Sequence, residues 1–227
     1  MAGGFGAQVD YFGKDSAALT FIESSTTPAP VSVERVQDQD GNIVGEDSYA
    51  GGPAAAIEVV YRLVSDTLDL STLALGYLLV SATKTCITSI AVNTSNGEWP
   101  TITIGGFTGV TNETDMDTWA LPAITISGKK QAQELDFTVG SDCRLTSSSL
   151  TASAEFAHAL DNDGVVAAMA VTGATVEISA EFVEVEGVVA WTPDGSYIVT
   201  QAPGAANSNI GWGTASASMT KMLTATV

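Results

Sequence analysis

The stretch Thr175-Val-Glu-Ile-Ser-Ala-Glu-Phe-Val-Glu-Val185 decides the fold class. Val176, Ile178, Ala180 and Phe182 occupy alternate positions, with Glu177, Ser179 and Glu181 between them. A period of two puts the apolar set on one face of a β-strand and the polar set on the other. Upstream, Ser149 to Phe156 alternates Leu150, Ala152, Ala154 and Phe156 against mostly polar partners, and the pattern continues to Leu160. Between the two runs stands Asp161-Asn-Asp-Gly164, followed by Val165 to Val171. Asp-Gly flanked by such runs is a strong hairpin signal, because Gly takes a positive φ without steric cost. Val31 to Val36, Asp38-Gln-Asp-Gly-Asn42 and Ile43-Val44 give a second hairpin of the same kind.

The same pattern extends along the chain. Ile57 to Val64 alternates, with Val59, Tyr61 and Leu63 on one face. Thr85 to Val92 ends in the turn-like Asn93-Thr-Ser-Asn-Gly97. Pro100 to Gly105, Ala123 to Ser127, Gln133 to Val139, Ser196 to Gln201 and Ser216 to Thr226 read as further strands. Roughly ten to twelve short strands at this spacing predict an all-β, antiparallel sandwich or barrel. The best helix candidate is Ser71 to Val80, where Asp69 or Ser71 could cap a short turn. Its apolar run Leu73 to Val80 fits a buried strand equally well.

With 227 residues and 23.3 kDa, the chain is long enough to bury a sizeable core without disulfides or metals. We expect a single β domain over residues 1–227 carrying an N-terminal arm (about 1–30), an extended hairpin or loop (about 31–56) and a C-terminal loop and strand (about 201–227). Ser24 to Pro30 reads as loop or arm, Gly45 to Pro53 as a flexible loop, and Gln201 to Asn209 as a polar loop without periodicity.

Composition narrows the function classes. Asp plus Glu number 26 against 8 Lys plus Arg, a formal charge of −18. Phosphate neutralisation by Lys and Arg dominates nucleic-acid affinity, so sequence-independent DNA or RNA binding is excluded as a main function, as is docking on an anionic membrane. Charged residues are 15% of the chain, below a usual value of about 25%. With 45% apolar residues and a mean hydropathy of +0.22, the surface must be built from Ser, Thr, Asn, Gly and Ala. Such a surface desolvates cheaply, which favours packing against other protomers.

Cys86 and Cys143 form no CxxC motif and no disulfide framework, and read as buried thiols. The start, Met1-Ala-Gly-Gly-Phe-Gly, lacks the regions of a signal peptide, and the longest apolar run is far short of the ~20 residues that span a bilayer. Synthesis in a cytoplasm is therefore expected.

Enzyme signatures fail. His158 is the single histidine, set in Phe156-Ala-His-Ala-Leu160, so a multi-histidine zinc site within one chain is impossible. The chain has no GxSxG, P-loop or GxGxxG context. The two Asp-x-Asp-Gly loops place Gly at the fourth position, where a calcium loop needs it at the sixth, and read as turns. Asn112-Glu-Thr-Asp-Met-Asp117 could hold Ca²⁺ through Glu113, Asp115 and Asp117, but reads first as a solvated loop. No catalytic residue, metal site or cofactor is expected.

Four carboxylates, Glu177, Glu181, Glu184 and Glu186, are candidates for one acidic face. Glu184 and Glu186 differ in parity from the first two, which predicts a bulge near Val183 or a last turn that leaves the core. A glycosidase reading would use Glu184 and Glu186 as its pair, and a glycan-binding one would use Trp99, Trp119, Trp191 and Trp212, each in a turn-like context. In a ring, an acidic face lining the lumen would repel DNA phosphates and let DNA slide without adhering.

Three stretches carry a resemblance. They are Tyr61-Arg-Leu with Leu68-Asp-Leu-Ser-Thr-Leu-Ala-Leu-Gly, Ile87 to Gly106, and the Ser/Thr/Ala-rich hairpin Ser149 to Phe182 with its Asp161-Asn-Asp-Gly bend. Over about residues 55–190 the chain resembles a virion protein of a tailed bacteriophage, most of all a tail tube (major tail) protein. That resemblance implies a β-sandwich or barrel with one short helix, for which this sequence offers only Ser71 to Val80. It implies homo-oligomeric, stacked hexameric rings in a virion, contact with other phage structural proteins, and an acidic channel that DNA passes without adhering. It implies no catalytic residues. Inter-subunit arms would come from Met1 to Gly13, Ser24 to Pro53 and Gln201 to Asn209, with Tyr49, Gly51, Pro53, Pro203 and Asn207 as candidate contacts. A capsid decoration protein and a carbohydrate-binding or adhesin-type module are the alternatives.

Overall fold

A computed structural model describes residues 12, 21–26, 32–37, 43–49, 56–64, 66–80, 83–108, 118–140, 143–160, 166–184, 191–203 and 213–225. The fold is all-β and antiparallel. Sixteen strands are present among the described residues, more than the ten to twelve expected, because several are only two or three residues long.

The main sheet has ten strands. Its path runs β1 (Phe21–Thr26), β4 (Ala56–Arg62), β8 (Thr101–Thr108), β7 (Thr83–Ser95), β12 (Cys143–Leu160), β13 (Val166–Glu184), β16 (Thr214–Met222) and β15 (Ile198–Gln201). Off this path, β6 (Ala74–Val80) pairs with β7 and with the short β9 (Trp119–Ala120). Three two-stranded sheets complete the fold: β5 (Thr67–Asp69) with β10 (Thr125–Ser127), β11 (Phe137–Val139) with β14 (Trp191–Pro193), and β2 (Ser32–Gln37) with β3 (Ile43–Tyr49).

The alternation read in the sequence is the burial pattern. Val176, Ile178, Ala180 and Phe182 of β13 are buried, and Glu177, Ser179 and Glu181 are exposed. Ile57, Val59 and Tyr61 of β4, Ile102 and Ile104 of β8, and Ile90 and Val92 of β7 add to the same buried face. Leu68, Leu70, Ile126 and Phe137, from outside the main sheet, pack into the same core with Leu75 of β6 and Trp119 of β9. The Phe137 ring meets Phe182 edge-on at 6.3 Å between centroids, tying β11 to the sheet.

Four expectations are corrected. Ser71 to Val80 is not a helix: a single 3-10 turn at Leu70–Thr72 precedes β6. Asp69 caps the turn by accepting from the Ser71 amide at 2.9 Å, and Leu73 is already extended at φ −103. Gly76 then takes φ 107, which no helix holds, and the edge of β7 supplies the pairing the run needs. Ser24–Thr26, expected as arm, belongs to β1 and pairs with Val60, Val59 and Glu58. Gly45–Tyr49, expected as loop, is strand β3, where Val44 is an extra residue and Asp47, Ser48 and Tyr49 face Glu34, Val33 and Ser32. Gln133 to Val139 is strand only from Phe137, because Asp136 turns to φ 58 and breaks the alternation. The bends at 38–42 and 161–165 lie outside the described residues.

Candidate assembly surface

The face of the main sheet turned away from the core is mostly small and hydroxylic. Register places Val60, Thr103, Ala91, Thr151, Glu177 and Thr220 side by side across β4, β8, β7, β12, β13 and β16. The next row is Arg62, Thr101, Asn93, Ser149, Ser179 and Ser218. Every residue in both rows is exposed or half-buried. Hydroxyls bond along the rows: Ser149 with Ser179 at 2.7 Å, Thr200 with Ser218 at 2.7 Å, and Ser153 with Thr175 at 3.3 Å. The Ser, Thr and Ala side chains are short, and the mutual bonds of the hydroxyls lower the cost of removing them from water.

Glu177 and Glu181 stand on this face, both exposed. The Ser147 hydroxyl donates to Glu181 Oε2 at 3.1 Å, and Thr146 Oγ1 donates to the Glu181 carbonyl at 2.9 Å. Glu184 does not join them. It ends β13 opposite Cys143, one residue beyond the last β16 pairing, at the alternate register position. The irregularity expected near Val183 lies across the ladder instead: Thr146 is the extra residue in β12, between Leu145 opposite Phe182 and Ser147 opposite Glu181. Glu186 lies outside the described residues.

The long hairpin outruns its neighbours. β12 pairs with β7 only over Ser147–Ser153, and β13 pairs with β16 only over Thr175–Val183. Beyond these limits β6 takes the edge of β7, from Ile87 to Thr83, and β12 peels away. β12 and β13 nevertheless stay paired to Leu160 and Val166. At about 3.4 Å per residue the free ladder is on the order of 20 Å long. Among the described residues no strand pairs with either of its outer edges. Its strand segments, Ala154 to Leu160 and Val166 to Ala174, hold one charged residue, Glu155 at the base opposite Gly173, and none beyond it. His158 falls here, opposite Met169. The β2–β3 hairpin likewise pairs with no other strand among the described residues.

Of the candidate arm residues, Tyr49 closes β3 opposite Ser32, and Pro203 is half-buried just past β15. Gly51, Pro53, Asn207, Trp212 and the acidic run 112–117 lie outside the described residues. The aromatic platform expected for a glycan site is not formed by Trp119 or Trp191, and neither stands in a turn. Trp119 is 5% exposed in β9, and Trp191 is half-buried in β14 with its ring 6.2 Å from Phe137. Cys86 and Cys143 are free and buried, and burial pushes the Cys86 thiol up to about 12.

Two features escaped the sequence reading. Thr94 and Ser148 form a buried polar node, hydroxyl to hydroxyl at 2.8 Å. Thr94 Oγ1 also accepts from the Gln133 amide at 3.0 Å, and Ser148 donates to the Gln133 carbonyl at 2.6 Å. Both residues break the polar–apolar bookkeeping of their strands, which is the signal that could have found them. The second is a recess at one end of the sheet lined by Arg62, Gly97, Glu98, Trp99, Thr101 and Lys130. The adjacent Lys129-Lys130, in a chain with eight basic residues, was its sequence signal.

The chain matches no protein-family model and no curated protein. Among the described residues no helix is long and apolar enough to cross a membrane, and no cluster of three or more His, Cys, Asp or Glu is placed to hold a metal ion.

Proposed function

We propose that the protein is a self-assembling structural subunit of a phage virion, and specifically a tail tube subunit that forms stacked rings around a DNA channel. The observation that carries this reading is the free β12–β13 hairpin. Two-stranded ribbons are marginal in water on their own, and open strand edges invite another chain. A ribbon whose strands carry a single charged residue, Glu155 at its base, in a chain of charge −18, has its natural place against another protomer. The Ser/Thr face with Glu177 and Glu181 supplies the second requirement, a wall whose charges are acidic along β13, with its one cation in these rows, Arg62, at the far β4 end.

The test is electron microscopy of the purified protein with its solution mass measured on the same sample. Rings or hollow tubes are the expected outcome. A second sample has the hairpin shortened by joining Glu155 to Gly173 through Asn-Gly; it should stay folded and lose assembly. A native protein that is monomeric at every concentration would overturn the proposal.

A further inference from the structure

The chain has eight basic residues, and three of them, Arg62, Lys129 and Lys130, gather at one end of the main sheet. Arg62 closes β4 opposite Thr101 of β8. Lys130 reaches over the Trp99 ring, its Nζ 5.2 Å from the centroid, and Lys129 beside it is exposed. The walls of the recess are fixed rather than loose. The Gly97 amide donates to the Lys130 carbonyl at 3.1 Å, and the Ala132 amide donates to Asn96 Oδ1 at 3.0 Å. Asn96 Nδ2 donates in turn to the Leu145 carbonyl at 2.9 Å. Glu98, the one acid in the lining, accepts from Ser95 Oγ at 3.2 Å.

A cationic recess is complementary to concentrated negative charge, and the same chain carries a matching piece. Between Glu34 and Asp47 the sequence holds five further or terminal acids besides one Arg: Glu34, Asp38, Asp40, Glu46 and Asp47 against Arg35. The strands of this segment, β2 and β3, form a two-stranded sheet that pairs with nothing else among the described residues. Opposite-charge surfaces on otherwise like-charged molecules set the register and orientation of docking. We infer that the Arg62–Trp99–Lys130 recess receives the acidic β2–β3 hairpin of a second copy of this chain. The inference rests on the self-assembly proposed above and names one of its contacts.

The test uses the assembled protein made from an equal mixture of unlabelled and heavy-nitrogen chains. A carbodiimide joins amines to carboxylates in direct contact, and mass spectrometry reads the linked peptides. Mixed-isotope links from Lys129 or Lys130 to acids within 34–47 are expected. Same-isotope links only, links to acids elsewhere, or none at these lysines in an assembled sample would overturn the inference and leave self-assembly standing. A monomer throughout would overturn both. As a second arm, Lys129→Glu with Lys130→Glu should raise the concentration needed for assembly by about tenfold or more, and Glu46→Lys with Asp47→Lys in the same chain should restore it. Unchanged assembly of the first variant would contradict the contact.

Discussion

Gly106 of β8 lies with its Cα against the main-chain carbonyl of Cys86 in β7. The approach occurs where β7 carries an extra residue, Thr88, between Ile87 opposite Gly106 and Ser89 opposite Gly105. A Cβ at position 106 would run into that carbonyl, and backbone in the middle of a sheet has nowhere to withdraw. Gly106→Ala should therefore destabilise by about 3 kcal/mol, the upper range for overpacking. At Gly173 an added Cβ meets nothing within 4 Å, so Gly173→Ala should change stability by less than about 1 kcal/mol. Urea unfolding of the two variants checks the contrast, and equal midpoints would refute it.

Two buried threonines should respond to valine in opposite directions. Thr85 is fully buried, and its Oγ1 has no hydrogen-bond partner. Thr85→Val removes that unsatisfied hydroxyl at nearly constant shape and should stabilise by about 1 kcal/mol. Thr94 is also buried, but its Oγ1 serves both Ser148 and the Gln133 amide. Thr94→Val strands those partners and should cost about 1–3 kcal/mol. Thermal unfolding of both variants gives the signs directly.

What was legible in the sequence follows from how local each determinant is. The alternation of Val176 to Phe182 is a property of one strand, and it held residue for residue. Leu73 to Val80 was ambiguous because an apolar run has no period; what settles it is Gly76 at φ 107 and the free edge of β7, neither visible in composition. Ser24–Thr26 and Gly45–Tyr49 looked like arm and loop because they run into Pro28 and Pro30 and into Gly51-Gly-Pro53, residues depleted in strands, and ladder pairing with β4 and β2 overrides that context. Glu184 shared a run with Glu177 and Glu181 but not their register position, because it stands three residues past Glu181 and β13 has no extra residue between them. The Arg62 recess joins residues far apart in the chain, so only the fold assembles it.

Alkaline pH should weaken the fold through Cys86. Burial raises its thiol from an ordinary value of 9.0 to about 12, so the folded state holds a proton that the unfolded state releases. The stabilisation is complete below pH 9 and declines as pH rises towards 12, at up to roughly tenfold in the unfolding constant per pH unit. Cys86→Ala costs stability at neutral pH by leaving a cavity, but its pH dependence over this window should be shallower. Unfolding midpoints measured across the window compare the slopes. Parallel slopes would remove Cys86 as the source.

Reversing charge on the hydroxylic face tests where that face points in an assembly. Glu177 and Glu181 flank Ser179, and Glu→Lys at both adds two charges at each site, taking the chain from −18 to −14. The Ser149–Ser179 bond is untouched, and Glu181 gives up only its exposed bond from Ser147, so the fold should persist. Assembled particles should still form, because neither residue belongs to the free hairpin. If the face lines a channel, the lysines should now hold duplex DNA at low salt and release it at high salt. That DNA should be protected from nuclease. Bound but unprotected DNA would put the face on the outside of the particle, and a folded variant that no longer assembles would make it a contact between subunits.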